Sequence, residues 1–189
     1  QIAGLKTSPR RIQMTNFGTS YLTLGFEKLG IFPVKNFQEG RLEGVEKIGE
    51  EELAKIKIKN DGCYGCMTKC GQVRRVTEGL YAGALSEGPD YETIWSLGGN
   101  LGITDKAYLV AADSLCDKLG IDTVSTGNAI GFACELFQRG IITKKDTDGL
   151  DLTWGKDGEM LKLVEKIGRR EGFGRLLGEG TKRCLLYTS

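Results

Sequence analysis

Three cysteines in one short stretch, Cys63-Tyr64-Gly65-Cys66-Met67-Thr68-Lys69-Cys70, constrain this chain more than any other feature. Spacers of two and three residues let successive thiolates converge on one face of a loop. The flanking Gly62 and Gly71 let backbone N–H groups come close to sulfur. A fold that carries this run must present it as a loop held from both sides.

Four sulfur ligands complete either a four-iron, four-sulfide cluster or an all-cysteine zinc site, so a fourth ligand has to come from elsewhere. Cys116, Cys134 and Cys184 are the candidates within the chain. Cys134 falls on the apolar face of a helix and reads as a small buried hydrophobe, whereas Cys116 sits beside a helix stop. Six cysteines also allow a disulfide framework, and zinc remains open, although zinc knuckles space their cysteines as two separated pairs.

The absence of histidine removes Ser-His-Asp and Cys-His nucleophiles and every histidine-containing zinc site from these residues. With 26 basic and 25 acidic residues the net charge of +1 gives no footprint for nucleic acid or an anionic membrane surface. No apolar run reaches the length of a membrane span, and the first residues, Gln-Ile-Ala-Gly-Leu-Lys, carry no signal-peptide core. A 40% hydrophobic content supports a real core, and 28 glycines predict many tight turns.

Periodicity predicts a mostly α chain. Short helices are expected near Ser20 to Leu29 and Gly49 to Lys57, the latter with Leu53 and Ile56 on one face. Thr104 is the expected N-cap of a helix with Ala107, Val110, Ala111 and Leu115 inward and Gly120 as its stop. Ser125 or Thr126 is expected to cap the next, with Ile130, Ala133, Cys134 and Phe137 inward and Gly140 at its end. A third runs from Asp157 to about Arg169 with Met160, Leu161, Val164 and Ile167 inward, and a fourth surrounds Leu176 and Leu177.

Two further segments bear chemistry. In Glu87-Gly88-Pro89-Asp90-Tyr91-Glu92 a proline and a glycine fix a bend that holds three carboxylates near one another, for cation binding, proton transfer or plain solvation. In Asp117-Lys118-Leu119-Gly120-Ile121-Asp122 two aspartates flank a helix-ending glycine. Both can turn into one bend and accept hydrogen bonds from a heterocycle, or serve only as helix caps.

Taken in order, the Asn36-Phe37 turn, the C-x2-C-x3-C triplet, the E-G-P-D-Y-E-T run and the L-C-D-K-L-G-I-D-T-V-S-T-G segment resemble aldehyde:ferredoxin oxidoreductases over nearly the whole chain. The resemblance implies a helical domain of that type, a piece of a larger multidomain enzyme. Residues 1–183 would form the cluster- and pterin-binding part, incomplete at both ends, and residues 184–189, which cease to fit, would be a terminal artefact.

It further implies a [4Fe-4S] cluster with Cys63, Cys66 and Cys70 as three ligands and the fourth outside this segment. Asp117, Gly120, Ile121 and Asp122 would contact a tungsten (or molybdenum) bis-pterin, with Ile121 where the family has leucine. Glu92, ahead of Glu87 and Asp90, would be the carboxylate near the metal. The implied reaction is oxidation of a small aldehyde with ferredoxin as acceptor, in the cytoplasm, and a segment lacking half of the cofactor cage is not expected to turn over alone. The alternatives are a non-catalytic iron-sulfur electron-transfer module, a related tungsten enzyme acting on aromatic acyl-CoA, and a zinc-stapled helical interaction domain.

Overall fold

The computed structural model describes residue 4 and residues 7–188, without the side chains of 184 and 186–188. The Cys184 side chain, expected above as a ligand candidate, and residue 189 of the expected departure over 184–189 therefore lie outside what is described.

The first helix, α1 (Pro9–Phe17), was not predicted. It buries no residue, so no apolar period announces it. Proline at its first turn starts it, and Gly18, at φ 66°, ends it in a backbone region that favours glycine. Polar bonds hold it instead: Arg11 Nη1 donates to Met67 O at 2.8 Å and Thr15 Oγ1 to Thr68 O at 2.6 Å. A 3-10 turn leads into α2 (Leu22–Lys28), and α3 (Glu50–Ala54) follows; both match the predicted helices, except that Lys57 already begins a strand.

A small antiparallel sheet of β1 (Lys57–Asp61), β2 (Gly71–Arg75) and β3 (Leu85–Glu87), in the order β1-β2-β3, adds to the helical reading. Its central strand buries Gln72, Val73 and Arg74, two polar residues and one apolar, so alternation of hydrophobicity could not reveal it. The pairing Asp61↔Gly71 makes residues 62–70 a loop closed at its base, and Val73↔Glu87 sets the acidic run beside it.

A three-residue turn, α4 (Tyr91–Thr93), continues into a π-helical turn (Ile94–Gly98) and a 3-10 turn (Gly99–Leu101). Next comes α5 (Lys106–Leu119). Its N-cap is Asp105 rather than Thr104, accepting from Ala107 N at 2.7 Å and Tyr108 N at 3.4 Å, because a carboxylate is the stronger acceptor for the exposed first-turn N–H groups. Of the four residues expected inward only Val110 is fully buried; Tyr108, Leu109, Ala112 and Cys116 carry the core. The helix is wedged between the sheet and other helices, which covers most of its circumference.

Asp122, not Ser125 or Thr126, caps α6 (Thr123–Gln138). Gly127 and Gly131 of α6 lie flat on the irregular turns: a Cβ at Gly127 would overlap Ser96 O, and one at Gly131 would overlap Asn100 Nδ2. Asn100 Nδ2 in turn donates to Gly127 O at 3.1 Å. In α7 (Asp157–Arg169) the buried residues are Met160, Leu163, Val164 and Ile167, with Leu163 in the place predicted for the half-buried Leu161. The chain continues through α8 (Gly172–Leu177) and α9 (Thr181–Thr188).

One contrast tests this packing by chemical denaturation. Gly127→Ala should cost about 1–3 kcal/mol through overlap with Ser96. Gly158→Ala on α7, where an added Cβ meets nothing within 4 Å, should gain roughly 0.5–1 kcal/mol. Equal effects would contradict the close approach at α6.

Candidate functional site

The cysteine loop is built on a turn in which Cys66 N donates to Cys63 O at 3.0 Å, with Gly65 at φ 70°. Lys69, at φ 47°, reverses the chain again before Cys70. These reversals aim backbone N–H groups at one sulfur. The N–H of Lys69, then that of Thr68, and the Thr68 hydroxyl all hold the Cys66 thiol below its ordinary value against a small opposing effect of desolvation. Cys63 is exposed, and Cys66 and Cys70 are half-buried.

Among the described residues no three His, Cys, Asp or Glu side chains are gathered tightly enough to enclose a metal ion. The donor chemistry nevertheless fits a thiolate-bound iron-sulfur group, since N–H bonds to sulfur stabilise the ligand form. Cys116 and Cys134 are different. Both are fully buried; desolvation, with Asp113, Asp117 and Asp122, pushes the Cys116 thiol up to about 12, and burial pushes Cys134 up as well. Cys134 Sγ lies 3.8 Å from Met160 Sδ, as expected of a core residue. All five described cysteines are free thiols, which sets the disulfide framework aside for them.

In the acidic run Asp90 acts on Glu87 and is acted on by Glu92, while Glu87 and Glu92 have separate partners. Glu87 closes β3 and lies over Gly71, so closely that a Cβ there would overlap Glu87 Oε1, next to Cys70. Its carboxyl is raised by desolvation and then by Asp90, Asp61 and Asp117. Asp90 is raised by desolvation, opposed by the Thr19 hydroxyl and Arg74, and raised further by Glu92. Glu92 accepts from Trp95 Nε1. The Trp95 ring packs on Phe37 with centroids 6.0 Å apart, and Phe37 ends a run of three left-handed residues, Lys35, Asn36 and Phe37. That run is pinned by Lys35 N to Gly99 O, Asn36 N to Asn100 O and Asn36 Nδ2 to Glu135 Oε2 at 2.6 Å.

The two aspartates of the Asp117–Asp122 segment have different surroundings, although both act on the Cys116 thiol. Gly120, at φ 66°, ends α5, and Asp122 is consumed as a cap, accepting from Ser125 N at 2.6 Å, an N–H that also holds its carboxyl low. Asp117 lies exposed on the last turn of α5, close enough to the acidic run to raise Glu87. Ile121 and Asp122 line a cavity of 220 Å³ with Thr126, Gly178 and Gly180.

Sequence reasoning missed Arg74, which is 1% exposed. Its guanidinium donates to Pro89 O at 3.0 Å, Phe17 O at 3.3 Å and Ser20 Oγ at 3.4 Å, joining α1, β2 and the acidic run. Burial pushes it down to about 10, opposed by Asp90 and Asp113. No spacing pattern marks such a residue, since either member of the pair Arg74-Arg75 reads as solvated.

Limited alkylation with mass mapping should find Cys66 labelled to lower pH than an ordinary thiol, with Cys116 and Cys134 unlabelled until the protein unfolds. Thr68→Val removes one donor to the thiolate and should move the Cys66 midpoint upward. Native-state labelling of Cys116 at the rate of Cys66 would contradict the assignment.

The chain is similar to known proteins in sequence and in fold. A family described as "Aldehyde ferredoxin oxidoreductase, domains 2 & 3" matches residues 2–186. The tungsten-containing aldehyde ferredoxin oxidoreductase of Pyrococcus furiosus is 40% identical over 172 residues, 90% of this chain and 28% of the relative. That of Thermococcus kodakarensis is 38% identical over 172 residues, again 90% and 28%. The WOR-like subunit of a Pyrococcus furiosus aliphatic sulfonate oxidoreductase is 38% identical over 164 residues, 83% of this chain and 25% of the relative. In fold, a chain of the active-site complex BamBC of benzoyl coenzyme A reductase, solved with 1,5-dienoyl-CoA, superposes with a TM-score of 0.70 at 22% identity, over 94% of this chain and 26% of that one. This chain thus spans little more than a quarter of such relatives, 28% of the first two. Since the match takes in the cysteine loop, the acidic run and the helices that flank them, the chain belongs to the aldehyde ferredoxin oxidoreductase family, in the part that forms domains 2 and 3.

Proposed function

We propose that this segment works within a complete enzyme that oxidises an aldehyde to a carboxylic acid at a tungsten bis-pterin centre and passes the electrons through a [4Fe-4S] cluster to ferredoxin. The net change takes up one water and releases two electrons and two protons per aldehyde. The observation that carries the reading is the cysteine loop: a C-x2-C-x3-C run whose backbone stabilises thiolate, in a chain 40% identical to a tungsten-containing aldehyde ferredoxin oxidoreductase.

Cys63, Cys66 and Cys70 supply three cluster ligands, and the fourth comes from outside these residues. Asp117, Gly120, Ile121 and Asp122 form the pterin-facing bend, with Gly120 permitting the reversal and Asp122 anchoring the helix behind it. When bound, tungsten and pterin supply the two-electron chemistry, and the protein supplies placement and proton handling. Glu87, lying over Gly71, is the member of the acidic run beside the cysteine loop; Glu92, held by the Trp95 N–H, and Asp90 complete the acid–base set. The substrate class is the least constrained part of the reading, because a relative of nearly equal similarity is named for aliphatic sulfonates.

Elemental analysis of the complete protein, purified anaerobically, should give about four irons together with tungsten or molybdenum. Iron alone would leave an electron-transfer module, and zinc alone would overturn the assignment. Glu87→Gln and Glu92→Gln should each lower kcat by about 10²–10⁴-fold if they move protons in the rate-limiting step. An unchanged rate would remove that residue from the acid–base set.

A further inference from the structure

Between the acidic run and the Asp117–Asp122 segment lies a carboxylate that the reading above does not use. Asp113 of α5 is 6% exposed. One of its oxygens accepts from Ser86 Oγ, and the other from Thr93 Oγ1 at 3.2 Å. Thr93 Oγ1 lies 3.0 Å from Thr123 Oγ1, on the residue that follows Asp122 and opens α6. The polar run Ser86–Asp113–Thr93–Thr123 thus crosses β3, α5, α4 and α6 without a break. One end is the residue before Glu87, and the other is half-buried beside Asp122.

Each hydroxyl carries one proton, which fixes what the run can do. With Asp113 ionised, Ser86 and Thr93 both donate to it, and Thr123 donates to Thr93. With Asp113 protonated toward Thr93, the Thr93 hydroxyl turns and donates to Thr123 instead. A proton entering at Thr123 therefore reverses the orientation of the two threonine hydroxyls and is stored on Asp113 Oδ1, and it leaves by the same hydroxyls in reverse; each step breaks one O–H bond and forms the next.

The charged and titratable groups around Asp113 are Arg74 from β2, Asp90 from the loop before α4, and Cys116 and Asp117 from α5 itself. Desolvation, with Asp117 and Asp90, raises Asp113 to about 6 against the opposing bonds from Ser86 and Thr93. Both protonation states are thus accessible close to neutrality.

We propose that Asp113 is a buried proton store reached through Thr93 and Thr123 from the bend that carries Asp122, a proton path in which Ser86 holds the second carboxylate oxygen. The inference rests on the functional reading only in that such a reaction releases protons beside its electrons.

The test separates the two. In this 189-residue protein, the Asp113 carboxyl is followed by carbon-13 NMR. Thr93→Val, which keeps the shape and removes the hydroxyl, takes a donor from the ionised form and should raise proton affinity at Asp113 by about tenfold. Thr93→Ser should leave it within about twofold. In the complete enzyme, Thr93→Val and Asp113→Asn should lower kcat with KM unchanged and enlarge the solvent deuterium isotope effect, and Thr93→Ser should restore both. An Asp113 titration indifferent to Thr93→Val overturns the path. So does a wild-type kcat and isotope effect in an active enzyme. A complete protein that oxidises no aldehyde retires the functional reading instead, and the titration alone then decides the path.

Discussion

The buried Arg74 guanidinium is the interaction on which the rest of the site depends. It sits in the central strand of a three-stranded sheet and donates to backbone carbonyls from two other segments, Phe17 at the end of α1 and Pro89 in the acidic run. Its strand begins at Gly71, next to Cys70. One side chain thus ties the cysteine loop, the first helix and the carboxylates into a single body. Its burial is costly for a charged group, and the carbonyl acceptors with the nearby Asp90 and Asp113 charges offset that cost. Without its donor the buried Pro89 carbonyl would cost about 1–3 kcal/mol, whereas Phe17 O also accepts from Ser20 Oγ at 2.6 Å.

Gln72, one turn of the pleat from Arg74, extends the same logic. Its Nε2 donates to Thr15 O, Cys70 O and Gly71 O, so the loop is tied to α1 from below while Arg11 and Thr15 reach it from the side. On the other flank, irregular backbone does the positioning. The left-handed run at Lys35–Phe37, at about 1–2 kcal/mol per residue, is held by carbonyls of Gly99 and Asn100 and by Glu135. It brings Phe37 onto Trp95, which stands on a π-helical turn and holds Glu92. Two uncommon backbone conformations thus meet at one carboxylate.

The parts legible in the sequence are those in which apolar side chains repeat. The helices around Ile130, Met160 and Leu177 were predicted from period alone, as were the left-handed glycines past the ends of α5, Gly120, and α6, Gly140. The cysteine loop was legible because thiol spacing encodes its chemistry directly. What stayed hidden is polar. α1 buries nothing and is held by hydrogen bonds, β2 buries Gln72 and Arg74, and Asp113 looks like any helix-surface aspartate until Ser86 and Thr93 are folded onto it. The separate partners of Glu87, over Gly71, and of Glu92, at Trp95, were equally invisible, since the pairing of β3 with β2 and the turn at α4 set them. Tertiary pairing decides such contacts, and local pattern carries no trace of them.

The central claim is that Arg74 holds the cysteine loop, the end of α1 and the acidic run as one unit. Hydrogen–deuterium exchange on Arg74→Lys, which keeps the charge and loses the planar fork, tests it most directly. The account predicts faster exchange confined to residues 15–20, 70–72 and 88–92, with protection in α6 and α7 unchanged. Protection unaltered in those three segments, or lost evenly across the whole protein, would contradict it.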